Sequence, residues 1–270
     1  MLLAILLPAL FASTPWPFAL VSLLLIAAAA WEWARLNGVN PIVAIGPGAL
    51  LGLAGAWAVY SGAVGGIAAA WWWVTLGLWL IGGAFVLRGG PSAWPRWPAP
   101  LRLFVGLFLL WVGWLALAQA RVVSINFVLS VLCIVWTADV GAYAAGRAFG
   151  KNKLAPSISP GKSWEGVYGG LAGVMLLAVV WTLWVDRALP VDAPSLFTRL
   201  RNAFGWIGMF TASVALAGLS VVGDLFESLV KRAAGAKDSS RLLPGHGGVL
   251  DRIDALMPVL PAAMAMGSLA

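Results

Sequence analysis

Nine apolar stretches run through this chain, and they decide what it can fold into. They are residues 1–17, Phe18–Ala34, Ile42–Tyr60, Val64–Leu87, Leu101–Ala118, Ile125–Ala148, Val167–Val185, Phe204–Val230 and Ala255–Ala270. A bilayer core of about 30 Å takes about 20 helical residues to cross, and most of these stretches approach that length. Apolar residues make up 61% of the chain and mean hydropathy is +0.93. Soluble domains carry roughly 45–50% apolar residues. In lipid the backbone must satisfy its own hydrogen bonds, so helices are the default, and no alternating pattern suggests a barrel. The expected fold is all-α: a polytopic transmembrane helix bundle of about nine spans.

The first segment, MLLAILLPALFASTPWP, has the apolar core of a secretory signal but lacks a positive n-region. It is read as a short first helix. Turn chemistry marks the breaks that follow: STPWP, LNGVNP, RGGPSAWPRWPAP and KNKLAPSISPGKSWEG. Residues 1–120 form an N-terminal set of helices, and 121–270 a C-terminal set carrying the polar loops, within one integrated membrane domain. The single Cys133 excludes a disulfide framework. Glycine pairs at helix-packing spacing, Gly48/Gly52, Gly62/Gly66, Gly166/Gly170 and Gly169/Gly173, predict close helix contacts. Trp71–Trp73 and Trp94/Trp97, among seventeen tryptophans, suit the membrane–water interface.

Charge gives an orientation. With the N-terminus inside, thirteen Lys and Arg fall in the cytoplasmic loops and four, Arg121, Arg187, Arg199 and Arg201, on the other side. The positive-inside rule therefore predicts N-in and C-out for nine spans, and the expected location is the cell (inner) membrane, multi-pass. Both long polar loops, 147–165 and 231–254, then face the cytoplasm. The net charge of +7 suits anionic head groups or an anionic substrate. No nucleic-acid partner is expected.

The acids are unevenly placed. Glu32, Asp186 and Asp192 lie near helix ends or in an outer loop and call for no special account. The other seven, Asp139, Glu165, Asp224, Glu227, Asp238, Asp251 and Asp254, fall in or beside the two cytoplasmic loops. Acids at membrane depth are costly and point to function. Asp139, Tyr143 and Arg147 share one helix face. They fit either a structural Asp–Arg pairing or a phosphate placed by Arg147 with Asp139 deeper. Ser220, Asp224, Glu227 and Lys231 form a polar stripe. Glu227 and Lys231 fit a plain ion pair, whereas Asp224 has no basic residue one turn away. An unpaired carboxylate there suits a hard cation such as Mg²⁺.

Asp251 and Asp254 lie three apart in DRID, after PGHGG, whose glycines let backbone approach a ligand. With Asp224 they form a candidate carboxylate metal site, ringed by Lys231, Arg232, Lys237, Arg241 and Arg252. Carboxylates for metal and cations for phosphate are what phosphoryl or nucleotidyl transfer requires. His246 has no second His or Cys partner, so a zinc site is not expected. It reads as a turn residue or a phosphate donor. PGKS at Pro160–Ser163 ends like a P-loop but lacks the glycine at 156 and the preceding strand.

The run SLVKRAAGAKDSSRLLPGHGGVLDRID, Ser228–Asp254, resembles the signature of the phosphatidate cytidylyltransferases, or CDP-diacylglycerol synthases. So do GDLFES at Gly223–Ser228, Asp139 with AYAAGRAFGK, and SPGKSWEG at Ser159–Gly166. The resemblance covers the C-terminal half; the N-terminal half matches only as apolar spans. It implies that CTP and phosphatidic acid give CDP-diacylglycerol and pyrophosphate, for phospholipid synthesis in the membrane lipid. It implies catalytic roles for Asp224, Asp251, Lys231 and Lys237, with metal at Asp224, Asp251 and Asp254. Substrate contacts are implied for Asp139, Tyr143, Arg147, Ser159, Lys162 and Glu165. They extend to Arg232, Asp238, Arg241, His246, Gly247, Gly248 and Arg252. Mg²⁺, a second monovalent cation such as K⁺ and a homodimer complete the expectation. A CTP-dependent lipid-alcohol kinase is the first rival. An ion-coupled transporter is the second, weakened because the acids gather at one face and no internal repeat is visible.

Overall fold

The computed structural model describes residues 2–245 and 247–270, leaving aside the side chains of residues 2 and 3. Helices dominate: α1 Leu2–Leu10, α2 Trp16–Leu36, α3 Ile45–Tyr60, α4 Ala69–Gly89, α5 Ala99–Val123 and α6 Ile125–Phe149. After a β-hairpin come α7 Trp164–Val180, a π-turn Trp181–Val185, the one-turn α8 Asp186–Ala188, α9 Leu196–Ala233, α10 Leu250–Ile253 and α11 Leu256–Gly267. Among the described residues, six helical stretches are long and apolar enough to cross a membrane. They are α2, α4, α5, α6, the α7–α8 run and α9. The other apolar helices are shorter: α1 has 9 residues, α3 has 16 and α11 has 12.

Two features depart from the expected pattern of spans and loops. The polar stretch after α6 is not plain loop: Lys153–Ala155 (β1) pairs antiparallel with Ser159–Ser163 (β2). And α9 runs 38 residues with a break at Gly205, whose φ of 69° lies in the left-handed region that glycine tolerates.

Polar contacts separate two ends of the bundle. At one end Arg121, buried, donates to the carbonyls of Leu10 and Ala12 at 2.8 and 2.7 Å. This fixes α1 to α5, so Arg121 does more than mark topology. At the same end Asp192 accepts from the N–H groups of Ile125 and Asn126, capping α6. At the other end Trp94 Nε1 donates to Asn37 at 3.0 Å, tying the α4–α5 connection to α2.

Close helix approach brings distant residues together. A Cβ on Gly170 would lie 2.7 Å from the Ala138 carbonyl, and one on Gly166 2.8 Å from that of Ala142. On the other side of the contact, Gly141 would meet the Gly169 carbonyl at 2.8 Å. Only hydrogen fits at these points, so α6 and α7 lie almost backbone to backbone. Gly48 meets α2 in the same way, 2.7 Å from the Ala27 carbonyl. The Gly62/Gly66 pair does not pack helices: it lies in the α3–α4 connection, where a Cβ would meet nothing within 4 Å and Gly62 has φ 74°. The tryptophans also divide. Trp71 is 63% exposed, whereas Trp72 and Trp94 are 2% exposed. Trp33, Trp79 and Trp94 pack around Phe226 with ring centroids 5.5–5.9 Å away.

Candidate active site

The α6–α7 contact and α9 wall a cavity of about 390 Å³. Much of its lining is small and apolar: Ala138, Ala142, Gly146, Gly166, Gly170 and Ala217, with Val167, Leu171 and Val221 beside them. Its polar lining is Asp139, Tyr143, Arg147, Lys162, Ser163, Ser220 and Asp224. The helix-face prediction for Asp139, Tyr143 and Arg147 is thus met in one wall. Arg147 donates to the Tyr143 hydroxyl at 3.2 Å. Strand β2 carries Lys162 across to α9, where its Nζ lies 2.5 Å from Asp224 Oδ2. Asp224 therefore has a cationic partner that its own helix does not supply. Ser228 donates to its other oxygen at 3.2 Å. Pro160–Ser163 forms part of β2, and Ser163 caps α7 by accepting from Gly166 N–H at 3.2 Å.

A second cavity, about 580 Å³, opens in the loop after α9. Asp238, Ser240, Arg241, Gly247, Asp251 and Arg252 are in its lining. Lys231 links the polar stripe of α9 to this loop. Its Nζ lies 2.5 Å from Asp251 Oδ1 and also ion-pairs with Glu227, which is fully buried. Asp251 Oδ2 accepts from Ser239 N–H at 3.0 Å, Ser239 Oγ at 2.9 Å and Gly248 N–H at 2.8 Å. Burial pushes the Asp251 carboxyl upward, but the Lys231 hydrogen bond and the two backbone donors outweigh it and hold it at about 2. Asp254 goes the other way. Burial first, then the charge of Asp224, pushes its carboxyl well above the usual carboxylate range. A Cβ on Gly223 would overlap the Asp254 carbonyl oxygen, so the DRID turn packs against α9 beside Asp224.

Several residues expected to touch substrate are engaged with the protein itself. Glu165 accepts from the N–H groups of Lys151 and Asn152, each at 3.2 Å, and from the Asn152 side chain at 2.7 Å, which fixes the entry to the hairpin. Arg232 donates to the carbonyls of Ile158 and Ala236 at 3.3 and 2.8 Å, holding the hairpin turn against the end of α9. Ser159 opens β2. Lys237, Asp238 and Arg241 are exposed. His246 lies outside the described residues.

Glu32, set aside in the sequence as a helix-end residue, is instead fully buried against the signature loop. The signal that could have found it is simple: it is the only acid in the first 138 positions. Gly248 shows how tight that contact is. A Cβ there would lie 2.5 Å from Glu32 Oε1 and would overlap Ser239 Oγ.

Lysines thus face acids beside two cavities at one end of an apolar helix bundle. The chain belongs to the cytidylyltransferase family, whose model matches residues 1–270. It is 38% identical over 260 residues to a phosphatidate cytidylyltransferase of Pseudomonas aeruginosa, covering 92% of this chain and 87% of that one. It is 53% identical over 133 residues to the Haemophilus influenzae protein of the same name, covering 49% of this chain and 42% of that one. A Brucella suis phosphatidate cytidylyltransferase is 40% identical over 187 residues, 68% of this chain and 62% of its own.

Proposed function

We propose that this chain transfers CMP from CTP to phosphatidic acid, releasing pyrophosphate and leaving CDP-diacylglycerol in the membrane. The observation that carries the reading is the pairing of two unlike cavities joined by α9. The first has a charged rim of Lys162, Arg147 and Asp224 over a floor of small apolar helix faces. That suits a lipid phosphate whose acyl chains stay among the helices. The second is a polar loop cavity carrying Arg241, Arg252 and Asp251, which suits a nucleotide. Lys231, on α9, touches the loop acid directly.

The chemistry asks little of a base. The attacking group is a lipid phosphate oxygen, already anionic near neutral pH. It attacks the α-phosphorus of CTP, and the bond to the bridging oxygen of the pyrophosphate breaks. The obstacle is repulsion between two anions, so positioning and positive charge carry the catalysis. Lys162 and Arg147 hold the lipid phosphate. Arg241 and Arg252, which line the loop cavity, hold the triphosphate with Lys237, while Lys231, buried between Glu227 and Asp251, ties the loop acid to α9.

The donor set fits Mg²⁺. It is all oxygen, and Asp224 and Asp251 already each hold a cation, a lysine ammonium at 2.5 Å. Among the described residues no three acids, histidines or cysteines gather closely enough to cage an ion. This suits an ion that keeps waters and substrate phosphates as ligands. Asp224, Asp251 and Asp254 are the carboxylates that would hold it, its remaining ligands coming from water and substrate phosphate. When bound, Mg²⁺ offsets the charge of the triphosphate. The monovalent cation such as K⁺ and the homodimer enter this proposal from the family resemblance. The orientation, with the polar end in the cytoplasm, rests on the loop charges, and the count of nine spans in an inner membrane on the apolar stretches.

The test uses detergent-solubilised protein with CTP, phosphatidic acid and Mg²⁺, following pyrophosphate and CDP-lipid together. Equal yields of both, lost with EDTA and restored by Mg²⁺, are expected. Release of CDP with a phosphorylated lipid alcohol would replace this reading by the kinase. No nucleotide turnover with ion flux in proteoliposomes would replace it by the transporter.

A further inference from the structure

Glu32 sits in the last turns of α2, 0% exposed. Both its oxygens are fully engaged. Oε1 accepts from Ser240 Oγ at 2.5 Å and Val249 N–H at 3.0 Å. Oε2 accepts from Leu250 N–H at 2.7 Å and shares with Asp251 the single proton of Ser239 Oγ, 3.1 Å away. A carboxylate offers about four lone-pair sites. None is left for a substrate or an ion, so Glu32 does not touch the reacting atoms.

All four donors come from one segment, residues 239–250, which joins α9 to α10. That segment also carries the backbone donors that hold Asp251, and it forms much of the loop cavity. Ser239 belongs to both acids: its Oγ lies 3.1 Å from Glu32 and 2.9 Å from Asp251. Gly248 passes between Glu32 and Ser239 where no side chain fits. A carboxylate that only supported the bundle would bond to neighbouring helices. This one bonds to the loop and reaches Asp251 through a shared hydroxyl.

We propose that Glu32 is a positioning residue for nucleotidyl transfer: it folds the 239–250 loop onto α2 and so presents Asp251 and Gly247 to the nucleotide cavity. This rests on the cytidylyltransferase reading above.

The decisive variant is Glu32→Gln. It keeps the volume but turns one acceptor into a donor. Whichever way the amide faces, its NH₂ meets the N–H of Val249 or of Leu250. The expected result is a fall in kcat of about 10²-fold, the scale of a displaced catalytic group, with KM for phosphatidic acid unchanged. Hydrogen exchange should quicken in peptides covering 237–251 and stay unchanged in the membrane helices. Ser240→Ala alone should lower kcat, and should add nothing in the Glu32→Gln background. Wild-type kcat in Glu32→Gln, or a lowered kcat with unchanged loop exchange, overturns the proposal. So does a double variant whose losses simply multiply. If Glu32→Gln does not fold, Ser239→Ala and Ser240→Ala put the same question without touching α2. If the wild-type protein makes no CDP-lipid, the functional reading has failed, and loop exchange alone decides whether Glu32 sets the loop.

Discussion

Lys162 and Lys231 each lie 2.5 Å from an aspartate, and each comes from a different part of the chain than its partner. For Lys162→Ala we expect kcat/KM for phosphatidic acid to fall about 10²–10³-fold, as for loss of one stabilising donor, measured at saturating Mg²⁺ and CTP. The Asp251 prediction concerns stability. Its folded value of about 2 lies below its ordinary 3.8, so its contribution is present above about pH 4 and lost as pH falls through 2. At neutral pH that shift corresponds to roughly 2 kcal/mol. Thermal unfolding in detergent should therefore show wild type and Asp251→Asn well apart at pH 6, with the gap closing towards pH 2. Asp224 and Asp251 were legible in the sequence because acids are rare among apolar residues. Their lysine partners were not all legible. Glu227 and Lys231 lie one turn apart, but Lys162 meets Asp224 only because a hairpin folds back onto α9.

The α6–α7 crossing is the element on which the cavity proposed for the lipid depends. Its glycines meet backbone carbonyls, which cannot move aside as a side chain could. Gly170→Ala must push the two helices apart. Overpacking of this kind costs about 1–3 kcal/mol. The expected outcome is a lowered Tm together with a raised KM for phosphatidic acid, while KM for CTP changes little. Gly62→Ala gives a different control, since it strains a turn and leaves the cavity alone. The sequence showed the Gly166/Gly170 spacing directly, but the same spacing at Gly62/Gly66 means something else, because those residues lie between helices. Spacing alone does not say whether a segment is helical. The apolar spans were clear for a simpler reason: long runs without charge have few other folds open to them. The hairpin between α6 and α7 was hidden, since its strands are only three and five residues long.

Across the whole molecule the polar contacts fall at two ends, and orientation follows if the positive end is inside. Labelling single cysteines in a Cys133→Ser background tests it. Ser157→Cys and Leu242→Cys should react only after the inner face is opened. Leu189→Cys should react from outside, and the reverse pattern would invert the topology. The division at residue 120 follows the polarity of the loops, yet the bond from Glu32 to Leu250 joins residues 218 apart across that division. No local pattern could announce such a link. It also sets a clock on synthesis. While the chain is being made, α2 is complete long before the residues that will meet Glu32 exist, and until they arrive the Glu32 carboxylate has none of its four donors. A product that stops before residue 239 therefore leaves a carboxylate without donors near the end of α2.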